Sequence, residues 1–149
     1  MMLRAPRPSR QNDMRAVAKP RWIKKGYDGL TFFGHIITHT QQEAEAFNQR
    51  FDFFKNHEMI HLYQARSTHD SWLLFYLRYG WYWLRTLHYQ KHLKNAGYLL
   101  NPFELEAYDK MYDLHYLDDK KSGTYEWRRY ARMSLQERLQ IYLLRKRSA

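Results

Sequence analysis

Five consecutive residues, His57 to His61, have the order His-Glu-Met-Ile-His, which is the H-E-x-x-H spacing. On a helix, residues four apart lie on one face, so two imidazoles at this spacing can bind one metal ion. Glu58 lies too far round the helix to be a third ligand, but it is placed to accept a proton from metal-bound water. The motif therefore predicts a zinc site that performs hydrolysis, with Glu58 as the general base.

A third protein ligand is required, because a catalytic zinc ion has three such ligands and an open position for water. The chain has no cysteine, which leaves histidine and carboxylate as ligands. The downstream candidates are Glu104, Glu106, His69, His88, His92 and His115. Ser67 stands six residues after His61, where another arrangement would need a histidine, so a glutamate on a later helix is favoured.

Two segments carry a family resemblance: Asn56-His-Glu-Met-Ile-His61 and Asn101-Pro-Phe-Glu-Leu-Glu-Ala-Tyr108. Together they resemble the gluzincin group of zinc metallopeptidases, and more closely a group of small, largely uncharacterised bacterial peptidase-like proteins. The resemblance implies one Zn²⁺ ion held by His57, His61 and Glu104, with a peptide or protein as substrate. Glu106 is the alternative ligand.

Other residues near these motifs are candidates for supporting roles. Gln64 shares a helix face with His57 and His61, so we expect it to orient a ligand or to contact substrate. Tyr108 or Tyr112 is the candidate to stabilise the oxyanion that forms during attack. Tyr108 also stands where larger relatives have an aspartate, so carboxylate support for a zinc-binding histidine must come from elsewhere or be missing.

The net positive charge of the chain predicts partners besides a peptide substrate. The formal charge of +10 attracts anions, so nucleic acid, anionic membrane and acidic proteins are all candidates. The alternative function is therefore a non-catalytic, zinc-containing basic module that binds nucleic acid or an anionic membrane. The absence of cysteine and of an apolar leader is typical of a cytoplasmic protein, with peripheral membrane contact as a further expectation.

The pattern of the chain predicts a mainly α (α+β) fold, a compact zincin-like helical domain with a small β element before the H-E-x-x-H helix. Residues 1–20 are expected to form a basic flexible tail, and residues 21–149 a single metallopeptidase-like domain. Residues 29–38 are rich in β-branched and aromatic side chains, which predicts a strand. Residues 41–66, opened by a capping box, are predicted to form one long helix.

Three further helices are predicted downstream. Residues 70–95 should form a helix that ends near Gly97, and its apolar middle favours a buried core helix over an interfacial membrane helix. Asn101 should cap a helix that runs to about Leu117. A capping box at Ser134 should open the last helix, which ends in a basic run.

Overall fold

A small sheet precedes a series of helices in the computed structural model, which describes residues 15–23, 30–32, 35–49 and 52–149. The predicted mainly helical fold with a small β element is confirmed. The chain divides into two compact units, residues 1–59 and 60–149. The division falls inside a helix that is continuous in the structure.

The sheet has three strands, β1 (Arg15–Ala18), β2 (Leu30–Phe32) and β3 (His35–Thr38), in the order β1-β3-β2. Strand β1 is parallel to β3, and β2 is antiparallel to it. The single strand predicted over 29–38 is wrong, because residues 30–32 and 35–38 form two antiparallel strands in which Phe32 pairs with His35. Part of the predicted tail forms β1, while residues 1–14 lie outside the described residues.

Helices α1 (Gln41–Gln49) and α2 (Phe53–Ser67) replace the single long helix that the periodicity predicted. The capping box that opens α1 is confirmed by the reciprocal bonds between Thr40 and Glu43. A second helix begins because the Asp52 carboxylate accepts a hydrogen bond from the Lys55 backbone N–H at 3.0 Å. The apolar residues keep helical spacing from α1 into α2, so the sequence pattern does not show that there are two helices.

Helix α3 (Trp72–Arg85) is shorter than predicted. Ser71 caps its start by accepting from the Leu74 N–H. Its end is set by Thr86, whose hydroxyl and backbone N–H both donate to the Trp83 carbonyl, at 2.7 Å and 3.1 Å. A 3-10 turn, Leu87–Lys91, follows.

Gly97 does not end the preceding helix but lies within the short helix α4 (Ala96–Leu99). A Cβ atom at this position would lie 2.2 Å from Cδ1 of Trp83 on α3. The glycine is therefore required because α4 approaches a tryptophan of α3 more closely than any side chain permits.

Aromatic side chains form the core of the second unit, around the buried residues Ala65, Phe75, Phe103 and Trp127. The Phe103 ring lies 4.7 Å from both the Phe75 ring and the Trp127 ring, measured between centroids. Of the α3 residues only Phe75 is buried, so the predicted burial of the whole helix is wrong. One face of α3 packs on the core, and the opposite face is exposed.

Helices α5 (Pro102–Lys110), α6 (Trp127–Arg132) and α7 (Leu135–Ser148) complete the second unit. The predicted cap at Asn101 is confirmed, since its side chain accepts from the Phe103 N–H. Helix α5 ends before the predicted Leu117, because successive i to i+3 turns follow Lys110. The capping box at Ser134 and Glu137 is confirmed.

A tight turn at Gly123 packs against the last turns of α2. Gly123 has a φ of 114°, and a Cβ there would lie 2.5 Å from both the Tyr63 carbonyl oxygen and the Ser67 amide nitrogen. The next residue, Thr124, donates its backbone N–H to the same Tyr63 carbonyl. The turn thus requires glycine for its conformation and for the close contact.

Arg138 of α7 is buried and binds backbone carbonyls in place of a carboxylate. Its guanidinium donates to Tyr130 at 2.8 Å, Ala131 at 2.9 Å and Leu100 at 3.4 Å. Burial lowers the pKa of Arg138 from its ordinary value. These bonds connect α7 to the end of α6 and to the residue that precedes the Asn101 cap of α5.

Candidate metal centre

Three of the predicted ligands, His57, His61 and Glu104, form a buried group in the structure. Each offers one ligand atom, and these atoms all lie within 4.8 Å of one another. Within the described parts of the chain, this is the one group of three or more histidine and acidic side chains arranged in this way. The group could hold a metal ion.

Helix α2 supplies both histidines. His57 and His61 are four residues apart, about one turn, and both side chains are buried. Between them, Met59 and Ile60 are buried in the apolar interior, whereas Glu58 is only partly buried. The helix therefore turns its two imidazoles inward and keeps the Glu58 carboxylate in a less enclosed environment.

Helix α5 supplies the carboxylate. The Asn101 cap and Pro102 fix where the helix begins, and this places Glu104 on its buried first turn. One Glu104 oxygen accepts a hydrogen bond from the Tyr79 hydroxyl at 2.9 Å, and the other lies 3.5 Å from Nε2 of His61. Glu104 is thus oriented by a helix α3 residue toward the histidine.

Gln64 determines which ring nitrogen of His61 lies toward Glu104. The Gln64 amide nitrogen donates to the Phe103 carbonyl at 2.9 Å and to the Glu106 carboxylate at 2.8 Å. Both partners are acceptors, so the amide oxygen must be the atom that lies 2.8 Å from Nδ1 of His61. Nδ1 therefore carries a proton, and Nε2 is the ring nitrogen that lies toward Glu104.

Glu106, the alternative ligand, faces away from this group. It accepts hydrogen bonds from Gln64, from the Tyr116 hydroxyl at 2.8 Å and from the Trp127 backbone N–H at 3.1 Å. Burial raises the pKa of Glu106, and the hydrogen bonds oppose this rise only in part. Residues 104 and 106 are about 200° apart around a helix, which explains their separate environments.

Position 108 has no carboxylate, and the structure connects His61 to a carboxylate from elsewhere, that of Glu106. Glu106 acts on His61 through the Gln64 amide, so the chain from imidazole to carboxylate passes through one neutral side chain. The sequence predicts Gln64 as a supporting residue, but it does not predict the connection of Gln64 to Glu106. No local spacing signals that connection, because it joins residues 42 positions apart.

Tyrosine hydroxyls lie close to Glu104. Besides Tyr79, Tyr98 lies near enough for the Glu104 charge to add to the effect of burial in raising the pKa of Tyr98. The Tyr98 and Tyr108 hydroxyls are 2.8 Å apart. Tyr112 is 69% exposed. The role of Tyr108 or Tyr112 as oxyanion stabiliser stays a prediction, and Tyr79 and Tyr98 were missed because they come from other helices.

Comparisons with models of protein families, with curated proteins and with solved structures found no match for this chain. The chemistry of the centre is consequently inferred from its own donor atoms. These are two imidazole nitrogens and one carboxylate, all buried and brought together by α2 and α5.

Proposed function

We propose that this chain is a zinc-dependent metallopeptidase in which His57, His61 and Glu104 bind the ion and Glu58 is the general base. The observation that carries the proposal is the buried His-His-Glu group, whose three ligand atoms lie within 4.8 Å of one another. It is assembled from an H-E-x-x-H helix and a glutamate of a later helix, the order found in gluzincins.

The donor set fits zinc. Neutral imidazole and carboxylate are both common zinc ligands, and three protein ligands are the number in catalytic sites, whereas structural sites have four. Gln64 holds His61 in the tautomer with Nε2 available, which is the form a metal-binding histidine needs. The Tyr79 hydroxyl holds the Glu104 carboxylate by a hydrogen bond.

The remaining chemistry is a proton transfer by Glu58. When bound, a zinc ion supplies Lewis acidity that polarises a carbonyl and acidifies water. Glu58, partly buried beside His57 in the chain, accepts a proton from the attacking water and later donates it to the leaving amine. The resemblance to gluzincins implies that the substrate is a peptide or protein.

The substitution Glu58→Gln tests the mechanism. Since Glu58 is outside the ligand set, the variant should retain one zinc ion per chain by elemental analysis. Hydrolysis of fluorescently labelled casein should fall at least about a hundredfold, because a proton acceptor is lost. The matched variant Glu104→Ala should lose zinc and activity together.

Two results would contradict the proposal. If Glu58→Gln cleaves casein as fast as the parent, Glu58 is not the base and the peptidase mechanism is wrong. If Glu104→Ala keeps its zinc, Glu104 is not a ligand. A parent protein that holds zinc, cleaves nothing and binds anions in a salt-sensitive way would be the non-catalytic binding module instead.

A further inference from the structure

Helix α3 has two apolar faces. Phe75, Tyr79 and Tyr82 face inward, and each packs against the ring of Phe103 in the aromatic core. On the opposite side, four large apolar residues are exposed. They are Leu73 at 62%, Leu77 at 61%, Trp81 at 58% and Leu84 at 54%. We call these four residues the α3 stripe.

The α3 stripe is continuous along the helix. At about 100° per residue, its four members fall within about 80° of one another around the helix axis. Leu74, at 37% exposed, lies along one edge, and Leu87, at 41%, follows in the 3-10 turn. Single exposed apolar residues scattered over a surface are normal in proteins. A contiguous exposed apolar surface such as this one marks an interaction site.

The formal charges along the chain from α3 to the start of α5 are all positive. From residue 71 to residue 103 the chain contains no Asp or Glu. The same segment contains four formal cations and two histidines: Arg78, Arg85, Lys91, Lys94, His88 and His92. Arg85, Lys91 and Lys94 are exposed. An apolar helix face followed by a cationic segment is complementary to a partner that has an apolar interior beneath an anionic outer layer.

We propose that the α3 stripe and the basic segment after it bind the surface of an anionic lipid membrane. This inference does not depend on the metal centre. A second copy of the chain would bring like charges together, and nucleic acid would leave the four apolar side chains unburied. A membrane surface accommodates leucine side chains below its headgroups and tryptophan at their level.

The helix would lie on the membrane and not cross it. Helix α3 has 14 residues, about 21 Å, whereas the hydrocarbon core of a bilayer is about 30 Å thick. Among the described residues, a helix of the length and apolarity needed to span a bilayer is absent. Only the outer face of α3 would enter the lipid, since its inner face is part of the protein core.

Vesicle co-sedimentation tests the proposal. Full-length protein should bind vesicles of phosphatidylcholine with phosphatidylserine, and bind vesicles of phosphatidylcholine alone at least about tenfold more weakly, since each nearby cation favours an anionic surface. The substitution Leu77→Glu should weaken binding to the anionic vesicles about tenfold, because it removes an inserting apolar side chain.

A matched control separates insertion from charge. Leu144 on α7 is 62% exposed, almost the same as Leu77, and Leu144→Glu makes the same change in net charge. We expect Leu144→Glu to bind nearly as the parent does. Thermal unfolding of both variants, followed by circular dichroism, should show that each remains folded, since both leucines face solvent.

Three outcomes would overturn the proposal. Equal binding of Leu77→Glu and parent would show that charge alone holds the protein to lipid. Equal binding of the parent to neutral and anionic vesicles would remove the role of the basic segment. Failure to bind vesicles, together with dimers in sedimentation velocity that Leu77→Glu abolishes, would reassign the α3 stripe to a self-interface.

Discussion

At the scale of single residues, the most informative contact is the one between Gln64 and His61. An amide has no titratable proton in the physiological range, so it stabilises the Nδ1–H tautomer of His61 without competing for that proton. The Glu106 carboxylate behind it orients the amide. In the proposed site the amide would thereby direct Nε2 of His61 toward the ion, which is the role that a supporting carboxylate has in zinc sites.

Replacing Gln64 by Leu should weaken zinc binding by about tenfold to a hundredfold, the usual effect of losing a residue that orients a ligand. The change removes the acceptor for His61 Nδ1 and the donor for Glu106. Competition with a chromophoric chelator measures the affinity. Gln140→Leu, at an exposed position of α7, is the control and should leave it unchanged. Equal affinities in all three proteins would show that Gln64 has no part in the centre.

The residues of the centre differ in how far the sequence could predict them. His57, Glu58 and His61 lie within five residues on one helix, so their relative placement follows from helix geometry alone. Glu104 came from a resemblance, since spacing left Glu106 equally open. Tyr79 and Tyr98 had no signal at all, because their approach to Glu104 depends on how α3, α4 and α5 pack.

At the scale of elements, helix starts were predicted better than helix ends. Thr40, Asn101 and Ser134 each cap a helix through a bond to a residue two or three positions later, so the signal is local. Helices α1 and α3 end where apolar periodicity continues. The Asp52 cap that opens α2 and the Thr86 turn that ends α3 are local contacts that compete with that periodicity.

The turn at Gly123 gives a prediction at this scale. Gly123→Ala should lower the free energy of unfolding by more than about 2 kcal/mol, because it combines a positive φ with overlap against backbone atoms of α2. Gly80→Ala is the control. Gly80 lies within α3 with no heavy atom within 4 Å of the added Cβ, so alanine should raise the stability by about 0.5–1 kcal/mol.

Urea denaturation measures both changes. Loss of stability in the two variants alike would indicate a general intolerance of this unit to substitution. No loss in Gly123→Ala would mean that the 123–124 turn does not contact Tyr63 and Ser67 as described.

At the scale of the whole molecule, metal binding and folding should be coupled. In an unfolded chain Glu104 is far from the two histidines, because it follows His61 by 43 positions, so an ion held by all three residues would bind the folded state preferentially. Zinc at about a hundred times its dissociation constant should add about 2.7 kcal/mol to the stability of the parent.

This gain is measured as the difference in thermal unfolding between zinc-loaded and chelator-treated protein. Glu104→Ala should show little of it, whereas Glu58→Gln should show it in full, since Glu58 is not a ligand. Identical melting of the parent with zinc and with chelator would contradict binding of the ion by the folded protein.

The hydrogen bonds of the Arg138 guanidinium can form only late in the synthesis of the chain. Residues 100–104 leave the ribosome more than thirty positions before Arg138, whose guanidinium donates a hydrogen bond to the Leu100 carbonyl in the folded protein. The nascent chain can form the Asn101 cap early, whereas the bond from Arg138 to the residue before that cap can form only after α7 has emerged from the exit tunnel. A polypeptide stalled before Arg138 should therefore be more susceptible to proteolysis around Leu100 than the finished one.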